Sequence, residues 1–375
     1  MERGGIDRRA TLAGIGIGVA AGWNIAALGA IATRLSHAYG VGLAVIGAFT
    51  TVQFVVHMAM QLPGGRAADR WGAKTSALVG LALITVGNGI ALPTASPWLG
   101  FGGRAIVGLG TGFAFVAGSD YIRARGGSPF LQGVYGGGSV LAPGVALAVV
   151  PWLAERVGFR APYVSSIAVA AACALLLVSA PAAPGAARHA AERLDSSLFR
   201  DTRLYKFAAI HAMSFGFSVI VGNWVVTLLE HHGEPKRAAA LLGSLTLLLG
   251  FFTRAAGGSL LRRPDASRWV AASLVTGGIG AIVLAFATPL PVVAACTVLI
   301  GLAAGVPFAM AFTGAAAARP DAPGASVGFI NAWAALAVVA GTPLVGLTFS
   351  LPGDGRIGFV ALGVVAALAA LATPR

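Results

Sequence analysis

Gly65-Arg-Ala-Ala-Asp69-Arg70-Trp-Gly72-Ala-Lys74 sets four charged side chains in ten residues, between two stretches, 41–62 and 75–92, that contain no Asp, Glu, Lys or Arg. Each flanking stretch has the roughly 20 apolar residues that a helix needs to cross the hydrocarbon core of a bilayer. The decapeptide therefore reads as a loop at a membrane surface, joining two membrane helices. A turn of this kind needs Gly where backbones crowd, and an Asp near a helix start is favoured by the helix dipole. Asp69 is thus placed to accept hydrogen bonds from a neighbouring helix end.

The same pattern extends outward in both directions. Of 375 residues, 57% are apolar and only 10% charged, more apolar surface than a water-soluble core can hide. Dividing the chain at its charged, Pro- and Gly-containing breaks predicts twelve spans: 12–32, 41–62, 75–92, 98–118, 130–153, 162–180, 205–229, 238–261, 269–287, 292–316, 325–349 and 356–372. The basic start leads into a full-length apolar segment, which reads as a retained first helix and not a cleaved signal peptide. Of the 26 Lys and Arg residues, 18 fall on the side that holds both termini, 6 on the other, and two, Arg104 and Arg254, inside spans. Both termini are expected in the cytoplasm, with the chain multi-pass in the inner (plasma) membrane. That topology also accounts for the formal charge of +13 without nucleic acid.

The break at 181–204 is the longest and lies at the centre of the chain. It reads as a cytoplasmic linker between an N-terminal six-helix bundle, 1–180, and a C-terminal one, 205–375. The two are related in sequence. Gly64-Gly65 matches Gly257-Gly258 at an offset of 193, and the same offset carries Gly108 and Gly112 onto Gly301 and Gly305. The expected fold is an all-α membrane protein of twelve transmembrane helices in two pseudo-symmetric six-helix bundles, with a solute site near the midplane.

The decapeptide resembles the signature loop of the major facilitator superfamily, Gly-x-x-x-Asp-Arg-x-Gly-x-Lys/Arg, and lies in the position expected for it between spans two and three. In span four, Arg104-x-x-x-Gly108-x-Gly110-x-Gly112 is similar to that superfamily's fourth-helix motif. The resemblance implies a secondary active transporter working by alternating access. It also implies that Gly65, Asp69, Arg70, Gly72 and Lys74 belong to a cytoplasmic charge cluster that latches one access state. Asp120, at the cytoplasmic end of span four, is the nearest candidate to pair with Arg66 or Arg70.

Charges at membrane depth are costly, so they are candidates for function. All thirteen acidic residues lie in loops or at span ends, so the deep Arg254 in span eight has no midplane carboxylate to neutralise it. A guanidinium so placed offers planar paired donors to a carboxylate or nitrate-like oxyanion. Phe252-Thr-Arg254-Ala-Ala-Gly257-Gly258 resembles the eighth helix of nitrate/nitrite porters, and an eighth-helix Arg also occurs in porters of oxalate and monocarboxylates. The chain departs from the nitrate pattern at Gln53, where those porters place a second arginine. The competing reading has Arg254 propping helices through backbone carbonyls, and Arg104 divides between helix packing and proton handling.

Trp23-Asn24 in span one and Asn223-Trp224 in span seven occupy corresponding places, and the resemblance implies that these spans line the cavity. They are solute-contact candidates, although such Trp residues also simply pack between helices. Tyr135, Asn331, Trp333, His57 and His211 are weaker ones. Pro143, Pro307 and Pro343 are expected to bend spans five, ten and eleven.

The expected solute is a small anion, nitrate/nitrite-like or a small monocarboxylate, accompanied by a coupling proton or counter-anion, with membrane lipid around a monomer. Efflux of amphipathic drugs is the alternative on the same fold; a non-transporting receptor or assembly factor is the alternative of another class. No HExxH, GxSxG or Walker sequence points to an enzyme. Neither Cys173 nor Cys296 has a neighbourhood that suggests a metal site or disulfide, and no cofactor is expected.

Overall fold

The computed structural model describes residues 7–183 and 197–374. Most of the 181–204 linker lies outside the described residues. In lipid every backbone polar group must bond within its own segment, and a chain this apolar meets that demand with helices; among the described residues there is no strand. The membrane helices are α1 (Arg8–Ala26), α2 (Leu43–Trp71), α3 (Ala73–Ile90), α4 (Pro97–Ala124), α5 (Pro129–Val157), α6 (Ala161–Ser179), α7 (Thr202–His231), α8 (Lys236–Leu260), α9 (Ala266–Leu284), α10 (Leu290–Ala318), α11 (Pro323–Leu347) and α12 (Arg356–Ala369). Short helical turns, Ala32–Tyr39 among them, fill the connections.

The decapeptide is not a loop. Helix α2 continues through it to Trp71, and Gly72, with φ of 87°, is the sole residue between α2 and α3. Hydropathy marks where a span leaves the membrane. It does not mark where the helix ends, and Ala67, Ala68 and the flanking arginines favour continuing the helix. Pro143, Pro151 and Pro343 all sit within continuous helices, whereas α10 is interrupted at Val306-Pro307, between Gly305 and Phe308. Helix α7 contains a π-helical stretch, Ala212–Gly216.

The chain forms two compact units. One is drawn from Met1–Gly127, Gly138–Leu194 and Arg319–Phe329, the other from Ser128–Gly137, Asp195–Ala318 and Ile330–Arg375. The start of α5 is thus part of the second unit and the start of α11 part of the first.

Each unit packs its helices by the same rule, displaced by 193 residues. A Cβ added at Gly108 of α4 would lie 2.6 Å from the Gln53 carbonyl of α2, and one at Gly301 of α10 would lie 2.8 Å from Leu249 Cβ of α8 and 3.4 Å from the Thr246 carbonyl. Gln53 and Thr246 are themselves 193 apart. Gly87 against Gly103 repeats as Gly280 against Cys296. These contacts require small residues because backbones meet directly. Gly108→Ala and Gly301→Ala are therefore expected to destabilise the protein by similar amounts, about 1–3 kcal/mol each from overpacking. Gly89→Ala, where nothing lies within 4 Å of the added Cβ, should be harmless. Thermal unfolding of the three purified variants checks this, and a destabilised Gly89 variant would count against it.

Candidate functional site

In the first unit, Asp69 sits near the end of α2 and is only 4% exposed. Its Oδ1 accepts from the Gly324 N–H and its Oδ2 from the Ala325 N–H, each at 2.8 Å. These are early N–H groups of α11, which no earlier turn can satisfy, and the carboxylate also meets the positive end of the helix dipole. The helix begins at Pro323, which has no N–H to lose. Asp69 therefore caps α11 from another helix, instead of serving the next helix in sequence. Gly65 makes this approach feasible, since a Cβ there would lie 2.2 Å from the Gly324 carbonyl.

The rest of the decapeptide is arranged differently from the expected cluster. Asp120 pairs with Arg123 at 2.6 Å, one turn along its own helix, and not with Arg66 or Arg70. A partner three residues away shares its helix face, which is a shorter reach than across to α2. Arg70 is exposed. Lys74 donates to the Val178 and Ala180 carbonyls where α6 ends, a favourable place for a cation.

In the second unit, Arg254 of α8 is 1% exposed. Its Nη1 donates to the Gly136 carbonyl at 2.7 Å, and its Nε has no partner. The guanidinium carbon lies 4.6 Å from the centre of the Phe308 ring and 5.9 Å from that of Phe215. No carboxylate pairs with it among the described residues. His211 lies against the same two rings and also against Phe312. Its Nε2 is 2.8 Å from Asn331 Oδ1, leaving His211 Nδ1 and Asn331 Nδ2 unpaired and buried. The two irregular places in the helices build this cluster: the π-helical stretch carries Phe215, and the break in α10 precedes Phe308. Gly136 has to be Gly, because a Cβ there would lie 2.2 Å from the Phe308 ring.

A family model described as Major Facilitator Superfamily matches residues 12–342. The chain belongs to the major facilitator superfamily. Solved structures agree in fold. The proton:xylose symporter XylE, bound to 6-bromo-6-deoxy-D-glucose, is similar with a TM-score of 0.76 at 13% identity, covering 97% of this chain and 94% of that one. The E. coli fucose:proton symporter FucP matches with 0.74 at 15%, covering 97% and 96%. The human organic anion transporter MFSD10 (TETRAN) matches with 0.72 at 16%, covering 97% and 99%. No curated protein sequence matches the chain. As a superfamily member it is a multi-pass membrane protein of the secondary-transport class.

Within this superfamily fold the remaining candidates are scattered. Asn24 is fully buried: its Oδ1 accepts from Asn88 Nδ2 at 3.0 Å and its carbonyl from Arg104 Nη2 at 2.7 Å. Trp23 Nε1 donates to Ser165 Oγ at 3.1 Å. Trp224 Nε1 donates to the Thr342 carbonyl at 2.8 Å, while Asn223 is exposed. The paired positions of spans one and seven thus have unlike surroundings. Gln53 and Tyr135 are buried, Gln53 with its Oε1 unpaired. Of the sequence candidates, Asn331 and His211 join Arg254 in one cluster.

Arg104 lies in a second buried polar network. It is as buried as Arg254, and its Nε and Nη1 lack partners, but Asn88 Oδ1, an acceptor in the same Asn24 network, is also unpaired. Orphan donors with an orphan acceptor call for a water. Around Arg254 the unpaired atoms are two donors, Arg254 Nε and Asn331 Nδ2, and one imidazole nitrogen, His211 Nδ1. Sequence reading missed Phe215, Phe308, Phe312 and Asn88. For Phe308 a signal existed in Pro307, immediately before it.

Proposed function

We propose that the chain is an alternating-access transporter of a small anion, held through Arg254, in the inner (plasma) membrane with both termini cytoplasmic. The observation that carries the reading is the buried guanidinium with an unused N–H and no carboxylate partner. A charge in that position is costly to the empty protein, and a bound anion removes the cost. The unused guanidinium and amide N–H groups favour an acceptor-rich ligand such as a carboxylate or a planar oxyanion. Asp69 and the first turn of α11 serve as the latch of one access state. The fold itself does not choose the solute: similar structures are described as transporting sugars in two cases and organic anions in a third.

The test is a thermal-stability screen of the purified protein against nitrate, nitrite, cyanate, formate, oxalate and lactate, with a neutral sugar as control. One or more monoanions should stabilise, by about 2.7 kcal/mol at a hundred times the dissociation constant. Stabilisation by the sugar and by none of the anions would overturn the reading.

A further inference from the structure

We infer that His211 takes up a proton when the anion binds beside Arg254, so that solute and proton occupy one site together. This rests on the anion reading above. Asn331 Oδ1 is an acceptor, so the 2.8 Å contact needs the imidazole proton on Nε2. In the neutral ring Nδ1 is then a bare acceptor, buried and without a partner. Protonation at Nδ1 converts it into a third donor beside the unpaired Arg254 Nε and Asn331 Nδ2.

The electrostatics couple the two events. Among the described residues, the groups packed on His211 are Phe215 of its own helix, Phe308 and Phe312 of α10 and Asn331 of α11, all uncharged. Arg254 of α8 is a charged group seated on the same Phe215 and Phe308 rings. An imidazolium formed in the empty site would share those rings with a guanidinium and no counter-charge. An anion bound there interacts favourably with both cations, and the linkage is reciprocal: the anion favours the proton and the proton favours the anion. The proton comes from solvent, goes to Nδ1, and no other bond is made or broken.

The other histidine within a span, half-buried His57, provides a comparison. His57 has both ring nitrogens occupied, by Thr111 Oγ1 at 3.0 Å and by the Gln61 amide. It offers no free position to a proton arriving with an anion.

The experiment is calorimetric titration of the full-length protein with nitrate, formate and lactate at pH 6 and pH 8, in buffers of different ionisation enthalpy. Nitrate stays ionised throughout, so a pH dependence seen with it comes from the protein. Binding is expected to strengthen as the pH falls, by up to tenfold per unit, with up to one proton taken up per anion at the higher pH. His211→Gln should bind with an affinity independent of pH and without proton uptake, whereas His57→Gln should keep both. Anion binding without proton uptake in the wild type would overturn the inference while leaving the anion site standing, and it needs no variant to fold. The same holds if His211→Gln retains the pH dependence. Binding of none of the three anions would remove the anion reading and this inference with it.

Discussion

Replacing Arg254 by glutamine should abolish anion binding without making the empty protein less stable. Each charge-assisted hydrogen bond is worth about 1.5–3 kcal/mol, so losing the free Nε–H and its charge weakens binding by up to about 100-fold. At a concentration that stabilises the wild type by about 2.7 kcal/mol, the variant would then gain as little as about 0.4 kcal/mol. The unliganded protein should behave in the opposite sense. The wild-type guanidinium is buried with one carbonyl acceptor, two aromatic faces and no counter-ion, and an intramembrane arginine costs about 2.5–3.5 kcal/mol even on the mildest scale. Glutamine removes that cost together with one hydrogen bond, so the unfolding temperature should be unchanged or higher. Arg254→Lys keeps the charge without the planar fork and should bind about tenfold more weakly than the wild type. Denaturation curves with and without anion check both halves of the expectation. A destabilised Gln variant that still binds anion would mean that Arg254 only props helices.

The second large effect is expected at Asp69. Its two oxygens each accept one N–H from the first turn of α11, and asparagine must turn its amide group toward one of those donors. The loss, about 1.5–3 kcal/mol, shifts a two-state equilibrium by roughly 10- to 150-fold. Asp69→Asn should therefore lose most transport while reaching the membrane in normal amount. A cysteine at Ala68, a residue only 1% exposed, should react faster with a thiol reagent in the Asn background. Unchanged reactivity and transport at equal expression would remove the latch.

What the sequence reveals, and what it hides, follows from the physics of each feature. Spans are legible because the hydrocarbon core demands a minimum apolar length. The duplication is legible because close helix approaches tolerate only small residues, so Gly108 and Gly301 preserve a spacing that other positions lose. The helix through Asp69 is hidden, because leaving the membrane does not end a helix. So is the partner of Asp69, some 250 residues away, although a clue lies at the start of α11, where Pro323 is preceded by Ala322 and not by a Ser, Thr, Asp or Asn that could cap the helix. The Arg254 cluster is half legible. A lone deep charge stands out, but Phe215 and Phe308 look like any phenylalanine facing lipid until the π-helical stretch and the helix break aim them at the guanidinium. Asn24 and Asn223 show the reverse error. Corresponding places in spans one and seven do not give them like surroundings, one being fully buried and one exposed.

Counterflow offers the most direct measurement of whether Arg254 carries an anion across the membrane. Proteoliposomes loaded with unlabelled formate, nitrite, lactate or oxalate are diluted into a trace of the same labelled anion, so exchange proceeds whatever ion is coupled to it. The wild type should accumulate label transiently with at least one monoanion, and the Arg254→Gln protein, reconstituted at the same density, should not. Accumulation of a labelled neutral sugar with none of the anions, or equal anion counterflow in the Gln variant, would contradict an anion site at Arg254.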